Sequence, residues 1–370
     1  MEFSRKEAGL EIIKNRSYIE KLYVFLGMSI FIHYGLVILF SLLLLIEIFI
    51  SGEYRKILKN KSLILVAIVL GLSVVMSVIY RNYYGFVAVP VLFCIIVGRY
   101  YTLSIDENFK IRNMEWIVRI SIISFFTSFI ECIVTRGRAG YWFFHNPNYL
   151  GSIMMMAAII NLYLFFEKKS KINIFIFIMN FTSLLMSGSR SALGALLIGI
   201  FSLLYYFLEK RYFVSCLLFI IGYITGVVSG FFPFIRAESI VKYFWLRVDI
   251  IKMALKIFEK KNILFGHGNF FYYKFTNFVY PHSHNAIVES LLSYGLIGTG
   301  ILMIVFLKYL YEIIKNDKKN ILKISLILGI IFHNFTDFTI FWIQTVLLFI
   351  MALSYREENK EKKYGIKMHK

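Results

Sequence analysis

Two histidines spaced two apart, His282 and His284, lie in Tyr280-Pro-His-Ser-His-Asn285, which leads straight into an apolar run starting at Ala286. The pair has the donors of a zinc site, but no cysteine or clustered carboxylate completes one, so no metal is expected. A neutral imidazole at a helix mouth, with arginines in other polar stretches, is instead a candidate general base; His284 takes that role. His282 and Asn285 flank it as substrate-binding candidates. A second polar island is Ser187-Gly-Ser-Arg-Ser-Ala192, where small neighbours clear space around Arg190 and no acid stands nearby. Arg190 either snorkels to an interface or presents its planar fork to a bidentate anion such as a phosphate. A third arginine, Arg247, sits in the most apolar part of an otherwise charged stretch. Finally, Arg136 and Arg138 precede a run of aromatics and Asn146-Pro-Asn148. The arginines and aromatics suit sugars and phosphates. The asparagines read first as a turn into a helix with Asn148 as N-cap, and second as substrate contacts.

These residues must be positioned by membrane elements. Of the 370 residues, 59% are hydrophobic and 17% charged, and the mean hydropathy is +0.70, which excludes an ordinary soluble domain. The apolar residues form long runs rather than the short alternating segments of a β-barrel. The expected fold is an all-α integral membrane protein, a single polytopic domain over residues 1–370. Twelve apolar segments can be drawn: roughly 18–32, 34–50, 62–79, 84–98, 116–134, 148–166, 172–188, 191–208, 212–230, 285–307, 321–335 and 338–354. The first two can also be read as one tilted span, leaving eleven.

Lysines and arginines divide unevenly between the connections. One alternate set holds 27 of the 41; the other short connections hold four, Arg81, Arg136, Arg138 and Arg190. By the positive-inside rule both termini are expected in the cytoplasm and the long loop, residues 231–284, outside. The net charge of +19 is then topology rather than a nucleic-acid footprint. Within the loop, residues 239–260 carry Ile240, Phe244, Leu246, Ile250 and Ile251 at helical spacing. Lys242, Asp249, Lys252 and Lys256 lie opposite, predicting an amphipathic helix at the outer membrane surface. Glu289, inside an apolar run, is expected to face the bundle interior. Cys94, Cys132 and Cys216 are far apart in apolar runs and read as small buried hydrophobes. The first apolar run lacks a cleavage site and is expected to remain as an anchor.

His284-Asn285 followed after nine residues by Gly295-x-x-Gly298 resembles the signature of the O-antigen ligase and polysaccharide polymerase family of bacterial inner-membrane glycosyltransferases. Asn146-Pro-Asn-Tyr-Leu150, Ser189-Arg190-Ser-Ala-Leu193, and Arg247 followed by Leu264-Phe-Gly-His-Gly268 resemble its other elements in order. Ile250 and Ile251 stand where the family carries an aromatic after the loop arginine. The resemblance spans roughly residues 140–305. It implies a donor glycan linked through diphosphate to undecaprenol, with Arg190 and Arg247 neutralising the leaving diphosphate. Arg136 or Arg138 would help hold the donor, and His284 would take the proton of the attacking hydroxyl. No metal, nucleotide or other cofactor is implied. The partners implied are the bilayer, the lipid-linked donor, and an acceptor that is either a lipid A-core, as in a ligase, or another lipid-linked repeat, as in a polymerase. A lipid-linked glycan flippase is the rival of another class. It would place charges at mid-span, whereas these cluster at helix mouths.

Overall fold

The computed structural model describes residues 17–232, 240–260, 262–277, 279–316 and 320–355. Among them every regular element is helical and there is no strand, as expected where backbone groups have no water to bond. The helices are α1 (residues 17–29), α2 (Tyr34–Ile50), α3 (Tyr54–Leu58), α4 (Lys61–Ile79), α5 (Ala88–Ser104), α6 (Glu107–Ile120), α7 (Ile122–Thr135) and α8 (Pro147–Lys168). They continue as α9 (Lys171–Ser187), α10 (Arg190–Phe207), α11 (Lys210–Val228), α12 (Ile240–Lys260), α13 (Phe271–Phe275), α14 (Ala286–Asn316), α15 (Ile321–Thr336) and α16 (Ile343–Leu353). Seven stretches among the described residues are long and apolar enough to cross a membrane: Lys61–Ile79, Tyr83–Ser104, Glu107–Thr135, Pro147–Lys168, Arg190–Phe207, Lys210–Val227 and Ala286–Lys315. Four further apolar helices, α2, α9, α15 and α16, are shorter. The chain is a multi-pass α-helical membrane protein.

Side-chain caps set many of the helix starts. Asn60 accepts from the Leu63 amide, Asp106 from Asn108 and Phe109, Ser189 from Ala192, and Asn320 from Lys323. At α8 the cap is Asn146, which accepts from the Asn148 amide with Pro147 at the first helical position. This corrects the sequence expectation of Asn148 as the cap. The sequence also suggests a connection over residues 99–115, yet α5 runs to Ser104 and α6 begins at Glu107. The charges there are absorbed within the fold: Lys110 donates to the Thr102 carbonyl at 2.9 Å and to Glu107 at 3.0 Å.

Helix α8 is the centre of the bundle. It is apolar all round, and Tyr149 through Leu164 are buried without interruption. Helices α9, α10, α15 and α16 pack around it. Polar side chains tie neighbours together, as Ser121 does by donating to Asn180 at 2.8 Å and Gln344 by donating to the Ile30 carbonyl at 2.8 Å. Such bonds contribute roughly 0.6 kcal/mol each within membranes, so close packing holds most of the bundle. At the other extreme, α11 has no buried residue among those described. Of the cysteines, all free, only Cys94 is fully buried; Cys132 and Cys216 are half-buried.

Helix α12 forms where amphipathic spacing predicts it, and part of its apolar face is covered by protein. Ile250, Ala254 and Ile257 are buried against Phe271, Tyr272 and Leu292. Phe244, Trp245 and Met253 remain exposed on the other side. Its seat is built by α14, through Leu292, and by α13, where Tyr272 donates to the Ile250 carbonyl at 3.3 Å.

Candidate active site

The turn His282-Ser-His284 is held in place from α14. The Ser283 amide donates to the Glu289 carboxylate at 2.8 Å, so the buried acid flagged in the sequence pins the loop one turn above it. Asn285 caps α14, accepting from Ile287 and Val288, and its amide donates to the Phe335 carbonyl at 3.1 Å. The His284 amide donates to Nδ1 of His282 at 3.2 Å. Fixed this way, His284 adopts a left-handed backbone (φ 56), a conformation that costs of order 1–3 kcal/mol outside glycine and clusters at functional sites.

Asp337 completes the group. Its Oδ1 lies 3.2 Å from Nε2 of His282 and 3.7 Å from Nδ1 of His284, and it accepts the Phe338 amide at 2.8 Å. His282 and Asp337 are fully buried, while His284 keeps 17% of its side chain accessible. Burial pushes the His282 imidazole down to about 3, against the pull of Asp337, so His282 is neutral with its proton on Nε2. Burial pushes the Asp337 carboxyl up, but the histidines around it, His282 foremost, hold it below the usual carboxylate range. Asp337 is therefore the charged member. With Nδ1 of His284 turned toward it, Nε2 of His284 is directed away and is the atom able to accept a proton.

The expectation that no carboxylate stands with the two histidines is corrected here: Asp337 is distant in sequence but adjacent in space. The ligand-capable atoms of His282, His284 and Asp337 lie within 4.8 Å of one another, so these three are the residues that could hold a divalent ion.

Arg247, half-buried on α12, is near enough for its charge to act on His282 and on His333. His333, buried on α15, meets Ser191 at 3.5 Å and Thr339 at 3.0 Å, while Thr339 donates to Ser152 of α8 at 3.2 Å. This polar chain connects the first turn of α10, which Arg190 opens, to the Asp337 loop.

The Arg136–Asn148 segment adjoins the same region. Glu131, buried and not anticipated from the sequence, accepts the amides of Gly140, Tyr141 and Trp142 and so shapes the loop. Arg138 donates to the Ser187 carbonyl at 2.7 Å and to Asn148 at 3.0 Å, bridging the Asn-Pro-Asn element and the turn before Arg190. Arg136, at the end of α7, is exposed. Tyr149 stacks on Trp342 with ring centroids 4.5 Å apart, which seats the start of α8 against the segment following Asp337.

The Gly-x-Gly turn is joined to α14 through backbone. The helix breaks at Gly295 (φ 67), and the amides of Leu296 and Ile297 donate to the carbonyls of Ile263 and Leu264 at 2.8 and 3.1 Å. A Cβ on Gly295 would lie 2.3 Å from the Leu264 carbonyl, and one on Gly266 would lie 2.6 Å from the Gly295 nitrogen. Both positions require glycine.

Residues 174–303 match the O-antigen ligase family model. The match supports membership of that family. No curated protein matches the chain. The O-antigen ligase match includes Arg190, Arg247, His282, His284, Asn285 and Gly295; Asp337, Glu131 and the Arg136–Asn148 segment lie outside it. Of the sequence-identified residues, His282 and His284 are thus grouped around Asp337, with Arg247 near enough for its charge to act on His282. Arg138, Asn146 and Asn148 form a second group beside the Arg190 turn. Asp337 carried one signal in the sequence, as a lone carboxylate between two apolar runs, where an ionisable side chain is expensive unless used.

Proposed function

We propose that the protein transfers a glycan from an undecaprenyl-diphosphate carrier to an acceptor hydroxyl at the outer face of the bacterial cytoplasmic membrane, in the manner of an O-antigen ligase. The observation that carries this reading is the orientation of His284, with Nδ1 toward the buried Asp337 carboxylate and Nε2 turned away. An ionised partner holds the imidazole in the tautomer that accepts at Nε2 and stabilises the imidazolium once formed. The 3.7 Å separation is longer than a hydrogen bond, and such contacts tighten when substrate binds.

The acceptor oxygen attacks the anomeric carbon, its proton passes to Nε2 of His284, and the bond from that carbon to the diphosphate oxygen breaks. The electron pair leaves with the diphosphate. Arg190 and Arg247 neutralise the charge developing there, a preorganised role in a site of low dielectric. Arg138 and Asn148, with Asn146 behind them, form the floor beside Arg190, and exposed Arg136 is available to the donor. Both termini lie in the cytoplasm, twelve segments cross, and residues 231–284 are outside. The reaction is metal-independent in this reading: the carboxylate serves the histidines directly.

The test is glycan transfer by purified, reconstituted protein from an undecaprenyl-diphosphate donor, with a lipid A-core acceptor and, separately, a second lipid-linked repeat. Product with the first acceptor is the expected result; a ladder with the second makes the protein a polymerase. His284→Ala is expected to abolish transfer and retain donor binding. Neither product, together with movement of lipid-linked glycan across vesicles, would replace the transferase by a flippase. Activity removed by chelator and restored by a divalent ion would turn His282, His284 and Asp337 into metal ligands.

A further inference from the structure

A cavity of about 560 Å³ lies between α4, α5, α14 and α16, and its lining includes none of the residues assigned to transfer. Its cationic lining residue on α14, Lys308, is 13 residues beyond the break at Gly295, about 20 Å along the helix from it. The walls are apolar, built by Leu63 and Val66 of α4, Ile95 of α5, Leu302 and Phe306 of α14, and Phe349 of α16. One end is strongly basic: Lys59, Lys61, Arg99 and Lys308 line it, with Glu312 the only acid among the lining residues.

Some cations elsewhere on the molecule are neutralised by carboxylates. Lys56 pairs with Glu53, Lys110 with Glu107, Lys168 and Arg119 with Glu115, and Arg211 with Glu209. Among the described residues no carboxylate pairs with Lys59, Lys61, Arg99 or Lys308. Lys61 also opens the nineteen-residue α4, whose positive end adds to the same field. Four clustered cations repel one another unless an anion joins them, and a purely hydrated anion would leave the apolar walls unused.

We propose that this groove holds an anionic phospholipid, its headgroup among Lys59, Lys61, Arg99 and Lys308 and its chain along the apolar walls. A basic pocket between membrane helices is a known form of anionic-lipid recognition. The site is separate from the transfer site and does not rest on the transferase reading.

The experiment is native mass spectrometry of the full chain, delipidated in detergent and titrated with phosphatidylglycerol or phosphatidylcholine. Wild type is expected to retain phosphatidylglycerol at concentrations at least tenfold lower than phosphatidylcholine. Arg99→Gln with Lys308→Gln should abolish that preference by removing headgroup charge. Leu302→Trp, which fills the groove, should weaken retention of phosphatidylglycerol with the cations intact. Lys210→Gln with Arg211→Gln, which removes two exposed cations elsewhere, should change nothing. Circular dichroism and thermal unfolding check that each variant is folded. The proposal is overturned if wild type shows no preference, or if the groove variants bind like wild type. It is equally overturned if the Lys210 and Arg211 control loses as much, or if millimolar inorganic phosphate displaces the lipid, which would mark a site for a free anion.

Discussion

At the residue scale the arrangement separates two histidines that look alike in sequence. His284 is the one with an accessible nitrogen, and loss of transfer with donor binding retained in reconstituted His284→Ala checks its role as the base. His282 instead affects stability. Its folded value of about 3 lies below the ordinary 6.5, so the unfolded chain binds a proton that the folded chain refuses. The stability it contributes is complete above 6.5 and is lost as pH falls from there toward 3. Thermal unfolding across that window should show the decline, and His282→Asn, which keeps an acceptor for the His284 amide, should flatten it. Asp337→Asn removes the charge behind His284 and is expected to lower kcat about 10²–10⁴-fold with KM little changed. A matching fall in donor binding would make Asp337 a substrate contact instead. Arg190→Lys keeps the charge but loses the planar fork. Most transfer should be lost while insertion and expression persist; near-wild-type activity would make Arg190 a snorkelling side chain.

At the scale of elements, the junction between the Gly-x-Gly turn and α14 makes its own prediction. Gly295→Ala meets the Leu264 carbonyl and an unfavourable φ together, and should destabilise the protein by more than ~1 kcal/mol in chemical unfolding. Gly300→Ala, with nothing within 4 Å of the added carbon, is the matched control and should be neutral or slightly stabilising. The same elements show what a linear reading can see. Arg190, Arg247 and His284 are legible because each is a chemistry-bearing side chain among small or apolar neighbours. Asp337 and Glu131 are not, because their partners are brought by packing: α15 delivers Asp337 to a loop it never touches in sequence, and Glu131 bonds backbone amides, which carry no residue signature. Apolar runs locate the helices well. Their ends are less legible, since buried Lys110 is satisfied by Glu107 and the Thr102 carbonyl and so a charged stretch becomes helical.

For the whole molecule, the basic connections predict an orientation. Single-cysteine labelling in intact cells should modify positions between Tyr272 and Tyr280 from outside, and a position following Lys315 only after permeabilisation, in a background lacking Cys94, Cys132 and Cys216. Labelling of both from the same side would overturn the twelve-segment arrangement. The break at Gly295 bears on a different property, tolerance to changes in chain length. Nine residues, Ala286–Tyr294, connect the fixed turn of His284 to the fixed backbone of Gly295, and each one contributes about 100° of rotation and 1.5 Å of rise. One inserted residue there would swing the imidazole about a quarter-turn around the helix, away from Asp337, with every side chain of the site still present. The same insertion after Thr276, in the connection between α13 and Pro281, would cost the local bonds of Thr276 to Val279 and Tyr280 and leave the spacing from His284 to Gly295 unchanged. The separation between histidine and glycine thus behaves as an angular setting, and a pair of single-residue insertions, one in each segment, should differ in activity far more than in fold.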